Sequence, residues 1–280
     1  MSEESQDKSQ DPIVIENIQN YITYIRTTQA STIRTLSESL KEVLTDTNIY
    51  ISSSGLKITA TDNDKNAFIH LKLDAKKFQN FYCPNNTIIG VNLISLHKLL
   101  KTINNSDIIT LFIEKKNENL LGIRIENFEK KVTRTSRLKL IDIDVEPITI
   151  PEVTFDSISS MSCVDFQKHC RDLSQISENV KIYTKDDNVV MCAGTNSDFA
   201  EVDIQVGGNP TVDYKASDDE EALLIGEYSL KYLSLFCKSS SLCRVLELYL
   251  KESYALIVVY SVSDLGKITY GLSPRAIEDN

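Results

Sequence analysis

Four pairs of basic residues are the side chains of this sequence best placed to do chemistry, and that chemistry is the binding of phosphate. Arg34 with Lys41, Lys98 with Lys101, Lys168 with Arg171, and Lys231 with Lys238 stand three or seven residues apart, spacings that put both members of a pair on one face of a helix. The competing chemistry is a row of carboxylates, Asp142, Asp144 and Glu146, alternating with apolar residues at the period of an extended strand. Convergent acids hold the metals of a nuclease, but alternate acids on one strand also arise simply by facing water. Other sites fail on spacing. The cysteines at 83, 163, 170, 192, 237 and 243 form no CxxC pair, and His70, His97 and His169 form no cluster, so no zinc site is expected. Asp62-Asn63-Asp64-Lys65-Asn66 begins like a calcium loop, yet Ala67 stands where the sharp turn needs glycine and Leu73 where the bidentate Glu belongs. There is no glycine-rich phosphate loop, GxSxG or HExxH. No metal, cofactor or enzymatic activity is expected.

Each basic pair needs a helix with an apolar face behind it. Periodicity predicts four: Ser31–Leu44 on Ile33, Leu36, Leu40, Val43 and Leu44; Leu93–Ile103 on Leu93, Leu96, Leu99 and Leu100; Ser162–Ile176 on Phe166, His169 or Cys170, Leu173 and Ile176; and Ser229–Lys238 on Leu230, Leu233 and Phe236. In the first of these Glu38 lies between Arg34 and Lys41 and is spaced to pair with either. His169 reads as a packed core histidine. Around the helices, alternating and β-branched runs predict strands at Ile22–Thr28, Ile49–Ile58 (two strands around Gly55), Ile108–Glu114, Leu120–Glu126, Lys130–Arg137, Lys181–Tyr183, Val189–Ala193, Phe199–Ile204, Val245–Leu250 and Ala255–Val262. Gly271-Leu272-Ser273-Pro274 is read as a tail.

The chain has 280 residues, enough for two domains. Helix, strand-turn-strand, helix and further strands occur in the same order on both sides of Leu138–Pro151, a strap in which two prolines deny a helix and the apolar residues share one side. The expected division is an N-terminal extension over 1–21, read as disordered from its polar composition over Met1–Pro12 and as either a short strand or more of the tail over Ile13–Tyr21, a domain over 22–137, a connector over 138–153 and a second domain over 154–280. The fold class is α+β. No apolar run approaches the length of a membrane span, and the free thiols fit a reducing compartment.

With 30 Lys and Arg against 40 Asp and Glu, the net charge is -10 and the pI is near 4.9, which by itself argues against nucleic acid. That argument fails if the basic residues are segregated: one such pair reads as a solvated helix face with local ion pairs, but four in equivalent places of an acidic chain point to a common basic surface, which would line a channel if helices lie inside and sheets outside. The edges carry a second segregation. Lys130, Lys131, Arg134 and Arg137 make the last strand of the first half basic, whereas Asp198, Glu201 and Asp203 make a strand of the second half acidic. The residues allow two readings: charge that keeps exposed edges apart, or complementary edges that join copies head to tail and close a ring.

Several collinear stretches carry a resemblance: Ile51–Gly55, Gly90–Leu93, Asp107–Leu111, Leu140–Glu146, Cys170–Ser174 and Leu272–Pro274. Over about Ile22 to Asp279 the chain resembles the eukaryotic-type sliding clamps of the proliferating cell nuclear antigen family. The resemblance implies a homotrimeric ring with helices facing double-stranded DNA and antiparallel sheets outside. It implies a DNA polymerase processivity factor serving replication and repair proteins, opened by an ATP-dependent clamp loader, with no catalysis of its own. The nucleus is the implied location, or a viral replication compartment, since the divergence suits a protist or a large DNA virus. The alternatives are a non-encircling monomeric processivity factor, or one subunit of a hetero-trimeric checkpoint-type clamp.

Position by position, the resemblance puts Arg34, Lys41, Lys98, Lys101, Lys168, Arg171, Lys231 and Lys238 against DNA, with Lys131 a further candidate. Thr35 and Gln175 replace basic or titratable residues. The strap corresponds to the interdomain connector, over a client-peptide pocket here formed by Phe68, Ile148, Ile150, Pro151 and Pro274. Thr61, Lys65, Asn66 and Gly271 depart from the family pattern and make that pocket smaller and more polar. Lys131, Arg134 and Arg137 would meet Asp198, Glu201 and Asp203 across the subunit interface.

Overall fold

Alternation of apolar and polar residues builds most of this molecule, since a strand that alternates can bury one face and wet the other. In the computed structural model, which describes residues 17–145, 148, 150–185, 188–194, 198–205 and 223–275, the first half runs β1 (Tyr21–Thr27), α1 (Ala30–Val43), β2 (Asp46–Ser52), β3 (Gly55–Thr61), β4 (Ala67–Asp74), β5 (Asn80–Tyr82), β6 (Thr87–Asn92), α2 (Leu93–Leu100), β7 (Ile108–Glu114), β8 (Leu120–Asn127) and β9 (Val132–Lys139). The second runs β10 (Ser157–Ser162), α3 (Cys163–Leu173), β11 (Asn179–Lys185), β12 (Asn188–Gly194), β13 (Phe199–Gln205), β14 (Leu223–Ser229), α4 (Leu230–Phe236), β15 (Val245–Leu250), β16 (Leu256–Val262) and β17 (Gly266–Leu272). A strand, a helix and three strands thus occur twice in each half.

The strands form three antiparallel sheets, in the orders β5-β1-β7-β8-β9, β10-β15-β16-β17-β4-β3-β2-β6 and β13-β12-β11-β14. The second sheet crosses between the halves. Its junction is β17 on β4, in register from Gly266 opposite Leu73 to Leu272 opposite Ala67. By the internal repeat, β9 is the counterpart of β17 and β13 the counterpart of β4. Both β9 and β13 end their sheets with one side unpaired by any described strand.

The helices pack in one layer: α1 lies on α2, α3 on α4, and α1 meets α4 across the halves. Their apolar stripes are buried as spacing predicts, with Ile33, Leu36 and Leu40 of α1, Leu93, Leu96 and Leu100 of α2, Phe166, Cys170 and Leu173 of α3, and Leu230, Leu233 and Phe236 of α4 all in the core. Phe236 stacks on Tyr270 of β17 with centroids 4.5 Å apart, and the Tyr270 hydroxyl sits 2.8 Å from that of Ser239. Phe236→Ala is expected to cost about 3–5 kcal/mol of stability, read as a lower urea midpoint at unchanged m-value.

Several expectations are corrected. Three helices are shorter than periodicity predicts. α2 stops at Leu100, so Lys101 caps it rather than belonging to it. α3 spans Cys163–Leu173, its start capped by the Ser162 hydroxyl and its end followed by Ser174, whose hydroxyl turns back to the Arg171 carbonyl at 2.7 Å. α4 ends at Phe236, leaving Lys238 in the 3-10 turn Cys237–Ser239. Cys170, not His169, takes the core position; His169 is only half-buried. The basic strand begins at Val132, and Lys131 sits in the turn before it with φ 52°, in the left-handed region. Gly271 and Leu272 are not tail but the end of β17. The expected extension over 1–21 gives way to structure from residue 17, where a 3-10 turn (Ile18–Asn20) leads into β1 at Tyr21. Residues 1–16, Glu146, Pro147, Thr149 and the acidic run 218–221 lie outside the described residues, as does the side chain of Asp203.

The turn behind α2 is built by Asp107, which is buried. It accepts the Asn104 backbone N–H at 2.8 Å and the Asn127 amide at 2.5 Å. Burial pushes the Asp107 carboxyl up, but these hydrogen bonds outweigh it and the pKa falls below the ordinary 3.8. A depressed folded pKa supplies stability that is present above 3.8 and lost as pH drops through the lower folded value. Asp107→Asn is therefore expected to lower stability at neutral pH and to flatten the loss below about pH 4, measured by urea titrations across pH 2–7.

Candidate nucleic-acid interface

The exposed face of the helix layer collects the predicted basic residues. Lys98, Lys101, Lys168, Arg171, Lys231 and Lys238 are all exposed on α2, α3, α4 or the turns that continue them. The pair on α1 is different. Arg34 is half-buried and donates to the Ile103 carbonyl, tying α1 to the loop after α2. Lys41 pairs with Glu42 rather than with Glu38 as spacing suggested. Arg171 shares its charge with Asp172 at 3.4 Å. The free cationic surface therefore rests more on α2, α3 and α4 than on α1.

His97, which spacing left unassigned, lies where α1 and α2 meet. Its Nδ1 is 3.0 Å from the Ser37 hydroxyl. Burial lowers its pKa and so does Lys41, while Glu38 and Glu42 raise it and Lys101 lowers it again. Lys41 of α1 and Lys101, the cap of α2, thus both act on His97. No local signal marks this in the sequence, since the two lie 60 residues apart and only the packing of α1 on α2 joins them.

The strap crosses the edge of the second sheet instead of pairing along it. Leu138 and Lys139 still belong to β9. Ile141 makes a single bridge to Gly90 of β6, where any Cβ would collide with the Ile141 carbonyl oxygen, and Asn48 holds the Ile143 carbonyl at 3.0 Å. The alternation predicts an apolar side turned inward. Leu138 is buried and Leu140, Ile143 and Ile148 are half-buried, but Ile141 is 37%, Val145 58% and Ile150 40% exposed, so that side is only partly covered. Asp142 and Asp144 are exposed, and among the described residues no group of three His, Cys, Asp or Glu side chains could hold a metal ion.

Of the predicted pocket residues, Phe68, Ile148 and Pro274 are half-buried and Ile150 and Pro151 exposed. Phe68 lies opposite Gly271 across the β4–β17 junction, and its ring fills the space that a side chain at 271 would need. Beside it the Tyr232 hydroxyl of α4 donates to the buried Asp62 carboxylate at 2.6 Å, and the Ser273 N–H donates to the Asn66 carbonyl at 2.8 Å. Asp62 and Asn66, discarded as calcium ligands, thus tie the two halves together. The polar departures at Asn66 and Gly271 are structural contacts here.

At the edges, Arg134 reaches the Leu99 carbonyl at 3.3 Å and Arg137 pairs with Glu114 at 3.6 Å. Both remain exposed on β9, as Asp198 and Glu201 are on or beside β13. Val132 and Phe199, on the same two edges, are 56% and 69% exposed. A basic edge and an acidic edge, each with an uncovered apolar residue, stand where the internal repeat places the two sides of a sheet junction.

Comparison with known proteins agrees with this geometry. The family described as "Proliferating cell nuclear antigen, N-terminal domain" matches residues 23–147, and that described as "Proliferating cell nuclear antigen, C-terminal domain" matches residues 149–275. A curated relative, "Probable DNA polymerase sliding clamp 1" of Paramecium bursaria Chlorella virus 1, is 34% identical over 257 residues, covering 91% of this chain and 97% of the relative. With both domain matches, the fourfold strand-helix-three-strand repeat and a single helix layer, the chain belongs to the proliferating cell nuclear antigen family and has its two-domain DNA-clamp fold.

Proposed function

We propose that this chain is a DNA polymerase processivity factor that acts as a ring of identical copies around double-stranded DNA. One observation carries the ring: β9 and β13 repeat the roles of β17 and β4, whose junction already exists inside the chain, yet both are sheet edges among the described strands. A second copy completes the pattern by laying its β13 on β9, with Lys131, Arg134 and Arg137 against Asp198, Glu201 and Asp203. Val132 and Phe199 are covered in the same step. Family resemblance supports three copies as the closed state.

Inside such a ring the helix layer turns Arg34, Lys41, Lys98, Lys101, Lys168, Arg171, Lys231 and Lys238 toward phosphates. Side chains that meet phosphates without reading bases bind every register alike, so the ring slides. Enclosure supplies the residence time that a net charge of -10 denies to simple electrostatic binding. The exposed apolar side of the strap, with Phe68, Ile148, Ile150, Pro151 and Pro274, receives client peptides, the polymerase among them. An ATP-dependent loader opens the ring, replication sites hold it, and the chain performs no chemistry itself.

Light scattering across a dilution series at moderate salt tests this reading. A mass near three times 31.6 kDa supports it. A mass near 31.6 kDa at every concentration sinks the self-assembled ring and favours the monomeric or hetero-trimeric alternative.

A further inference from the structure

A group of thiols in the second half is used by neither the cationic surface nor the edges. Cys163 opens α3 and Cys243 precedes β15, and their Sγ atoms are 3.7 Å apart. The contact is fixed by backbone: β10 and β15 pair up to Ser162 opposite Val245, and the next rung is the Cys163 N–H donating to the Arg244 carbonyl at 3.0 Å. Cys163 is buried, while Cys243 is half-buried and reachable. As a thiol, Cys243 donates to the Val245 carbonyl at 3.2 Å; as a thiolate, it accepts the proton of Cys163. That hydrogen bond holds Cys243 down to about 7 and drives Cys163 up.

The other thiols are different. Cys170 and Cys237 are sealed in the core, and the hydrogen bond between them and then burial push Cys170 up. Cys192 is half-buried like Cys243, but burial and the Glu201 carboxylate, to which its Sγ–H donates at 3.4 Å, raise it to about 11. Exposure alone therefore does not distinguish Cys243 from Cys192; the neighbour does.

We propose that Cys243 and Cys163 form a reversible covalent modification site for disulfides of small thiols, with Cys243 as the attacking sulfur and Cys163 as the resolving one. The Cys243 thiolate attacks one sulfur of a disulfide such as oxidised glutathione, forming a mixed disulfide and expelling one thiolate. Cys163 then gives its proton to solvent and attacks the Cys243 sulfur, expelling the second thiolate. Both leaving thiolates take up protons, so two protein thiols are oxidised to one disulfide while the small disulfide is reduced to two thiols. Closing 3.7 Å to an S–S bond of about 2.05 Å is a small side-chain movement between residues that the ladder already holds together. The bond ties the first turn of α3 to the segment that leads into β15.

The test is peptide mapping of the native, full-length protein after exposure to oxidised glutathione at neutral pH, with parallel alkylation rates for each cysteine. A Cys163–Cys243 bridge that dithiothreitol removes, a glutathione adduct trapped on Cys243 in Cys163→Ser, and alkylation of Cys243 at least about tenfold faster than Cys192 are expected. Cys243 reacting no faster than Cys192 overturns the proposal, and so does a glutathione adduct that persists on Cys243 in the unaltered protein, since Cys163 would then resolve nothing. The rate comparison uses the unaltered protein and so does not depend on the folding of any variant.

Discussion

Arg134→Glu with Arg137→Glu is expected to turn an assembly of three times 31.6 kDa into single chains. In the proposed junction the substitution puts acid on β9 opposite Glu201 and Asp203 of β13, and like charges brought together at an interface cost several kcal/mol in place of a complementary pair. The fold itself is expected to survive, because the bonds given up within the chain are on the surface: Arg134 to the Leu99 carbonyl and Arg137 to Glu114, each worth at most about 1 kcal/mol. The decisive control is the fourfold exchange that adds Glu201→Lys and Asp203→Lys. If the edges meet, reversing both sides restores the assembly; if the double variant keeps its mass, β9 is not the interface.

Lys98→Glu with Lys231→Glu is expected to abolish polymerase stimulation while leaving mass and unfolding midpoint unchanged. Both side chains are exposed on the helix layer, on α2 and α4, the central helices of their halves' second repeats. In a ring of three they replace six cations with six acids facing the duplex. Neutral replacement by alanine gives the graded form of the same test, since the slope of log affinity against log salt becomes shallower by about 1 for each phosphate that is no longer neutralised. Arg34 and Lys41 make the informative comparison. Their partners within the chain, the Ile103 carbonyl and Glu42, already engage them, so their loss should affect DNA less and stability more. Unchanged processivity in the Lys98 and Lys231 variant would remove the helix layer from the DNA path.

How much of this was legible in advance varied with the range of the interaction. Helical periodicity found all four helices, because an apolar stripe at every third or fourth residue is written into one short stretch. It overran three ends. The stops come from groups that compete for backbone hydrogen bonds, such as Ser174 after α3 and the Asn104–Asp107 turn after α2, and hydrophobic spacing does not register them. The predicted strands omit β4, β5, β6, β10 and β14, although β4 alternates cleanly, and the Gly271-Leu272 end of β17 reads as tail. That glycine is required by Phe68 on the neighbouring strand, a partner some 200 residues away in sequence.

The sequence by itself determined the repeat, the helices, the segregation of charge and the membership in a clamp family. These depend on the type and order of residues within local windows or on collinear stretches of them. Tertiary structure alone decided that Arg34 is spent on the Ile103 carbonyl, that Asp62 meets Tyr232 across the halves, and that β17 pairs β4 while no further described strand pairs β9 or β13. It also decided that Cys163 faces Cys243, 80 residues away. The reason is common to all of them: a hydrogen bond, a ring over a glycine or two sulfurs in contact each require a particular distance, and distance between remote residues exists only after the sheets have closed.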